Sequence, residues 1–236
     1  MILERRRGHA ASLHEASAAL VAGQGCLPLP VGIMRVLEAV APAVVLGSSQ
    51  PGDHVDAARA AAAGVEVARR RSGGGAVLVG PGRCCWVDLA IGAHDARWDD
   101  DVGRAVWWVG GAWVDALAEI GVAGAEVWRG PLVRSAWSDR ICFAGVGPGE
   151  VTVGGRKVVG ISQRRTRGGA LFQCAALLDG NHAELLRLLS LGASERDDAA
   201  GELRISTAAL GHGAAEPLVV ALASVLGARP AFGGGR

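Results

Sequence analysis

A chain of 236 residues, half of them hydrophobic and 20% charged, can bury a sizeable core in one large domain or two small ones, and is too apolar to be disordered. Its net charge of +1 gives no global electrostatic case for a nucleic acid or an anionic membrane as partner. No apolar run reaches the length of a membrane span, and the basic start MILERRRGHA leads into SLHEASAAL rather than an unbroken apolar segment, so neither a span nor a signal peptide is expected. Five cysteines (Cys26, Cys84, Cys85, Cys142, Cys174) are odd in number and lack metal-ligand spacing, so reduced thiols in a cytoplasm are the expectation.

Arg5 to Arg7 read as a solvated start to the chain. Ser12 to Val21 predicts a helix with Leu13, Ala16, Leu20 and Val21 on one face. AVVLGSSQ (43–50) is a short buried strand running into a turn. Val55 to Ala63 is an alanine-rich helix capped by Gly64. VEVARRR (65–71) is extended and enters SGGG, and CCWVDLAI (84–91) is a strand with Val87, Leu89 and Ile91 on one face. Gly103 to Ile120 predicts a buried helix, and the spacing of Trp107, Trp108 and Trp113 there favours core over an aromatic binding face. In EVTVGGRKVV (150–159) two β-branched runs flank Gly154–Gly155, the two-residue loop of a tight hairpin. That register sets Val153 against Arg156 and Thr152 against Lys157, and Lys157 is expected to point inward. Helices at His182–Leu191 and Pro217–Leu226 follow, and the final segment, GARPAFGGGR, reads as a loose tail. No repeat interrupts the chain, and the mixture of elements implies one α/β or α+β domain.

Two features carry chemistry. Of the 24 lysines and arginines, only Lys157 is a lysine. An exposed hairpin position accepts arginine equally well, whereas a compact ammonium differs from a planar fork where a small oxygen cluster must be met closely. Phosphate and acyl oxygens at a reacting centre are such clusters. The second feature is Gly73–Gly74–Gly75 after three arginines and Ser72. A segment without side chains lets a ligand lie against backbone N–H groups, or else serves as a flexible turn. It is neither a P-loop nor a dinucleotide fingerprint.

Taken with their order, these motifs resemble the lipoate–protein ligase and octanoyl/lipoyl transferase family, related in fold to biotin–protein ligase. VVLGSSQ (44–50) is similar to the family's strand and Gly–x–x–Gln, and ARRRSGGGAV (68–77) to its Arg–Arg–x–Ser–Gly–Gly–Gly–Ala–Val. GRKVVGISQRR (155–165) matches the family's lysine motif, and LLD (177–179) also fits. The resemblance covers about residues 12 to 192. It implies a mixed central sheet flanked by helices, like the catalytic domain of class II aminoacyl-tRNA synthetases and biotin ligases, as one domain over 1–228 with a flexible tail at 229–236. Many members carry a small C-terminal accessory domain, and at 236 residues the chain is expected to have none. It also implies attachment of a lipoyl or octanoyl group to an acceptor-protein lysine, using ATP and Mg²⁺ if the chain is a ligase. The acceptor would be a lipoyl domain or H-protein, with an accessory domain supplied by a second polypeptide or unnecessary. Carried over residue by residue, Arg70 serves the acyl group, and Ser72, Gly73, Gly74, Gly75, Ala76 and Gly160 wall the acyl and nucleotide pocket. Lys157 meets the reacting carboxyl or acyl group and, in ligases, the α-phosphate.

The sequence departs from the family where ligases run Tyr–His–Asp–Leu–Gly–Asn. LVGPGRCCW (78–86) stands there, its Gly80–Pro81–Gly82 closer to the octanoyltransferase branch. Phe172–Gln173–Cys174 replaces the family's His–His–Gly. Cys142–Phe143 matches the Cys–Phe of an amidotransferase branch, whose cysteine carries the acyl group as a thioester. Two roles are open for Cys142, nucleophile or packing residue. Cys174 is a weaker nucleophile candidate, and Cys84 and Cys85 read as strand filling. Three functions therefore stand: an ATP-dependent ligase, a nucleotide-independent amidotransferase working through Cys142, and a non-catalytic acyl or nucleotide binding protein.

Overall fold

The computed structural model describes residues 1–22, 29 and 31–230. Its chain order is β1 (Ile2–Gly8), α1 (Ala10–Ala19), β2 (Ile33–Ala39), β3 (Ala43–Leu46), α2 (Ala57–Ala62), β4 (Glu66–Arg69), β5 (Val77–Val79) and β6 (Cys84–Gly92). There follow α3 (Trp107–Glu119), β7 (Ala125–Val127), β8 (Val151–Val153), β9 (Arg156–Arg165), β10 (Gly169–Leu177), α4 (Ala183–Leu188), α5 (Ala193–Ser206), α6 (Ala215–Val225) and β11 (Arg229–Pro230). Eight strands form one sheet in the order β11-β1-β2-β6-β10-β9-β8-β7, and β4-β3-β5 form a second, three-stranded sheet. The large sheet is mixed: β1 pairs in parallel with β2 and β11, and the remaining neighbours are antiparallel.

Alternation along the strands decides which layer covers each face. On β6 the odd residues Val87, Leu89 and Ile91 turn to one side, as the sequence predicts, and meet Val109, Trp113 and Leu117 of α3 and Leu218 and Leu222 of α6. The even residues Trp86, Asp88 and Ala90 face the other layer, where Trp86 packs with Leu13 of α1 and Val45 of β3. Each large apolar side chain buried this way contributes about 1.5–3 kcal/mol, so the helix pair holds the sheet's rear and leaves its front for the small sheet and its loops. A third cluster joins the small sheet to α4 and α5 through Ile141 and Phe143.

Three expectations are corrected and one is extended. Arg5 to Arg7 are exposed, as expected, but belong to a strand: β1 pairs along its full length with β2, and Arg5 reaches Glu216 at 2.5 Å. Trp113 is fully buried, but Trp107 and Trp108 are only half-buried, with the guanidinium of Arg129 5.4 Å and that of Arg97 5.3 Å from their rings. Arg229 and Pro230 of the expected loose end pair with Ile2 and Leu3. Cys85 fills the core but Cys84 does so only partly. Cys26 and residues 231–236 lie outside the described residues.

Candidate active site

The hairpin forms in the expected register, with Thr152 opposite Lys157 and Val153 opposite Arg156. Gly154 and Gly155 have φ of +57° and +75°, the pair of left-handed positions that a two-residue turn between twisted strands requires. That register sends Lys157 inward, and it is 1% exposed. A buried ammonium must have all three N–H groups satisfied. Nζ donates to the carbonyl oxygens of Cys142 at 2.7 Å and Gly145 at 2.9 Å, and to Glu150 Oε2 at 2.8 Å. Its charge also lies 5.1 Å from the centre of the Phe143 ring.

Glu150 has no place in the sequence-level reading, although it opens the same hairpin that carries the only lysine. The carboxylate is as well held as its partner: Oε2 accepts from Gly147 N at 2.7 Å and Oε1 from Ile161 N at 3.1 Å. Gly160 packs against the same pair: a Cβ there would sit in van der Waals contact with Lys157 Cε at 3.4 Å and Phe143 Cζ at 3.6 Å.

The triple glycine lies across the cleft from Lys157, held from beneath by Arg70. This guanidinium, 4% exposed, donates to Val45 O, Gly75 O and, twice, Gly73 O at 2.7–3.2 Å. Arg70 thus shapes the loop by turning its carbonyls inward. Among the described residues, the N–H groups of Gly73, Gly74 and Gly75 donate to no protein acceptor, and that of Gly74 shares its peptide with the Gly73 carbonyl held by Arg70. Gly74 sits at φ +100°, and a Cβ on Gly75 would come within 2.5 Å of the Ile141 backbone, so only glycine allows this close packing. Three free donors over a cationic side chain make a concavity suited to an anionic oxygen.

Two further joints close the site. Gln50 ties the turn after β3 to the 139–140 loop by donating to Asp139 O and Arg140 O while accepting from Gly47 N. Ala76 is fully buried and bridges that loop: Ala76 N donates to Arg140 O and Cys142 N to Ala76 O, both at 2.9 Å. Ala76 therefore works through backbone, and its side chain faces the core cluster. These links bring Cys142 beside the glycine loop from 67 or more positions away. Lys157 meets the Cys142 carbonyl rather than its thiol, and Arg140 turns away to Ser190 O.

The cleft is about 530 Å³, with Gln50, Gly73–Gly75, Lys157, Glu150 and Ser162 on its walls. A narrower, mainly apolar pocket lies inside it, lined by Arg70, Trp86, Phe143, Gly160 and Cys174 among others. Cys142, Ile161 and Ser162 line both, so they stand at the throat. Ser72 Oγ lies 2.9 Å from Ser162 Oγ and donates to Gln173 Oε1 at 2.8 Å. Gln173 Nε2 continues the chain to His14 Nδ1 at 2.9 Å, and Asp88 Oδ1 accepts from Trp86 Nε1 at 3.0 Å. Burial, then the Arg70 charge, pulls the His14 pKa down to about 3, and burial pushes the Asp88 carboxyl up to about 6. Burial likewise raises the thiols of Cys84 and Cys85 to about 12 and that of Cys174 further, which makes all three poor nucleophiles.

Mg²⁺ takes one or two carboxylates together with phosphate oxygens and water. Of the cleft's two carboxylates, Glu150 is committed to Lys157 and two N–H groups, and Asp139 pairs with Arg134 at 2.5 Å. No group of three or more His, Cys, Asp or Glu side chains comes together among the described residues. The site fits a Mg²⁺ carried in on nucleotide phosphates, not one held in a protein cage.

The family model for the lipoyl protein ligase A/B catalytic domain matches residues 30–210, which span every motif above. The chain belongs to this family. It is an enzyme of the ligase or acyltransferase type. Solved structures agree on the fold. A bipartite archaeal lipoate protein ligase from Thermoplasma acidophilum, described with its E2 lipoyl domain, superposes with a TM-score of 0.74 at 17% identity, covering 98% of this chain and 85% of that one. A lipoate ligase from the same organism with bound lipoic acid gives 0.68 at 17% identity, covering 98% and 87%. A lipoate-protein ligase A bound with ATP gives 0.68 at 18% identity, with the same coverage. No curated protein sequence matches the chain.

Proposed function

We propose that this chain attaches a lipoyl or octanoyl group to a lysine of an acceptor protein through an acyl-adenylate made from ATP. The observation that carries the reading is that three glycine N–H groups, without a partner among the described residues, share a cleft with buried Lys157 at the mouth of an apolar pocket. The acyl chain enters the inner pocket, which at about 40 Å³ widens to receive it, and its carboxylate lies at the throat. A carboxylate oxygen attacks the α-phosphorus of ATP, the bond to the β-phosphate oxygen breaks, and pyrophosphate leaves. The glycine N–H groups stabilise charge on the phosphoryl and carbonyl oxygens, a contribution of the kind worth roughly 10²–10³ in rate per donor. Lys157 joins them when a substrate oxygen displaces one of the carbonyls, Cys142 O or Gly145 O, that its Nζ meets in this structure. A neutral lysine amine of the acceptor then attacks the acyl carbon, AMP leaves, and an amide forms with loss of the amine proton. Mg²⁺ enters with the nucleotide and neutralises its phosphates.

The acceptor is a lipoyl domain or an H-protein-like carrier, in keeping with the lipoyl domain named for one structural neighbour. Residues 1–230 act as one catalytic domain, two residues beyond the expected limit of 228 because β11 belongs to its sheet, and a separate accessory-domain protein completes the system where one is needed. The setting is the cytoplasm. No helix among the described residues is long and apolar enough to cross a membrane, which fits that setting.

One observation favours the second reading, nucleotide-independent transfer through Cys142: this thiol-bearing residue lines both the cleft and the inner pocket. The deciding experiment incubates the protein with ATP, Mg²⁺, octanoate or lipoate and an apo-lipoyl domain, and follows the domain by intact mass. ATP-dependent acylation is expected. No mass gain with either acid would sink the ligase reading.

A further inference from the structure

An open cavity of about 520 Å³ adjoins the cleft on the far side of the 70–73 loop. Arg69, Arg70, Arg71 and Arg164 line it, with Glu15 its only carboxylate. The lining alone carries a charge of +3, against +1 for the whole chain. Two of these guanidiniums have structural work. Arg69 Nη1 donates to Gly47 O at 2.7 Å and Gln50 O at 2.6 Å, and Arg70 holds the glycine loop. Arg71 and Arg164 make no ion pair and no side-chain hydrogen bond among the described residues. His14, 6% exposed, lines the same cavity. Its Nδ1 accepts from Gln173 Nε2, which leaves the proton on Nε2; that donor is buried, has no partner among the described residues, and belongs to a side chain that also lines the inner pocket.

Unpaired guanidinium forks at an open cavity suit carboxylates or phosphates. The position of the cavity selects between them. Ser48 belongs to this cavity and Ser49 to the cleft, and Arg164 to this cavity and Gln163 to the cleft, so one residue separates the two on each side. A protein that presents a lysine to the cleft therefore lies beside this cavity too. Until it loses its proton at the reacting centre that lysine is cationic, and the arginines repel it unless acidic neighbours come with it.

We propose that this arginine-lined cavity docks acidic side chains flanking the target lysine of the acceptor protein. The proposal rests on the acyl-transfer reading for the existence of that acceptor. The arginines would then steer a suitably charged acceptor to the site and disfavour lysines set among basic residues.

The test measures direct binding of an apo-lipoyl domain with acidic residues beside its lysine, by fluorescence anisotropy, to the wild-type chain and to Arg71→Glu/Arg164→Glu. Acyl-adenylate formation is followed separately, with no acceptor present. For the wild type, Kd should weaken as salt shortens the screening length from about 10 Å at 0.1 M to about 3 Å at 1 M. The charge-reversed variant should bind about tenfold more weakly at low salt, lose that salt dependence, and form adenylate at the wild-type rate. A lipoyl domain with its flanking acids changed to lysine should recover binding to the variant. The milder Arg71→Gln/Arg164→Gln variant should show a smaller loss in the same direction. Equal, salt-insensitive affinities would overturn the proposal. So would intact domain binding with lost adenylate formation, which would assign the cavity to nucleotide phosphates. A wild-type chain that binds the domain in this salt-dependent way yet acylates nothing would refute the acyl-transfer reading and leave the docking surface standing.

Discussion

Lys157→Met removes the ammonium and leaves a side chain of similar length. Glu150 then sits 6% exposed beside an apolar neighbour, and the carbonyls of Cys142 and Gly145 lose their donor. Breaking a buried ion pair by deleting one partner costs about 3–5 kcal/mol. The stranded carboxylate keeps two backbone donors, Gly147 N and Ile161 N, which places the expected loss near the lower end, about 3 kcal/mol. At roughly 2–4 °C per kcal/mol for a chain of this size, the thermal midpoint should fall by about 6–12 °C. Adding Glu150→Gln neutralises the stranded charge and should restore much of that stability, because removing both members of a buried pair is often nearly neutral. Activity should not return, since the charge that meets the substrate is still gone. Urea unfolding and the intact-mass acylation assay, run on both single variants and the double variant, separate the two roles. If Lys157→Met costs less than about 1 kcal/mol, the buried-pair argument fails. If the double variant acylates at the wild-type rate, Lys157 has no part in the chemistry.

The glycine loop is best probed at Gly73, where an added Cβ meets nothing within 4 Å, because Gly74 has φ +100° and its Cβ would come within 2.8 Å of Arg70 Nη2. Gly73→Val should weaken acyl or nucleotide binding at least tenfold with a nearly unchanged midpoint, by calorimetry and thermal melt. A large fall in midpoint with normal binding per folded molecule would make the loop structural. Cys142→Ser should keep most ATP-dependent acylation; an octanoyl adduct formed from octanoyl carrier protein without ATP, and lost in this variant, would establish the transferase instead. His14 and Asp88 oppose each other in acid. The depressed His14 pKa, about 3 against 6.5, contributes stability present above 6.5 and lost as pH falls towards 3. The raised Asp88 pKa, about 6 against 3.8, destabilises the fold above 6, a penalty relieved as pH falls towards 3.8. Between about pH 4 and 6 these two contributions nearly cancel. Asp88→Asn should therefore raise stability at pH 7 by about 3 kcal/mol and make it fall between pH 6.5 and 4, measured by urea midpoints. A pH profile parallel to the wild type would refute this account.

Much of the site is local in sequence and was therefore legible. A two-residue GlyGly turn allows one register, and with period-2 alternation that register sends Lys157 inward. Three consecutive glycines mark a segment of bare backbone but leave open whether it holds a ligand or merely turns; that its N–H groups lack acceptors among the described residues is a finding of the fold. The apolar stripe of α3 and the faces of β6 likewise come from periodicity. Other elements give no such signal. β1 carries three adjacent arginines on a surface-facing stretch, so its identity depends on pairing with β2. The polar α5 buries only Ala199 and Leu203, too little apolar repeat to mark a helix. Only tertiary structure assigns the roles of Glu150, Arg70 and Cys142. A buried ammonium requires a counter-ion, and the β8–β9 register supplies Glu150 by placing it within 2.8 Å. Arg70 shapes the loop because the turn carries its carbonyls back to the guanidinium. Cys142 reaches the throat because Ala76 pairs with the strand segment at Ile141, a contact between distant parts of the chain that no local propensity encodes. Side-chain periodicity needs only neighbours along the chain, whereas the electrostatics of a buried site depends on which distant groups the packed fold brings within hydrogen-bonding distance.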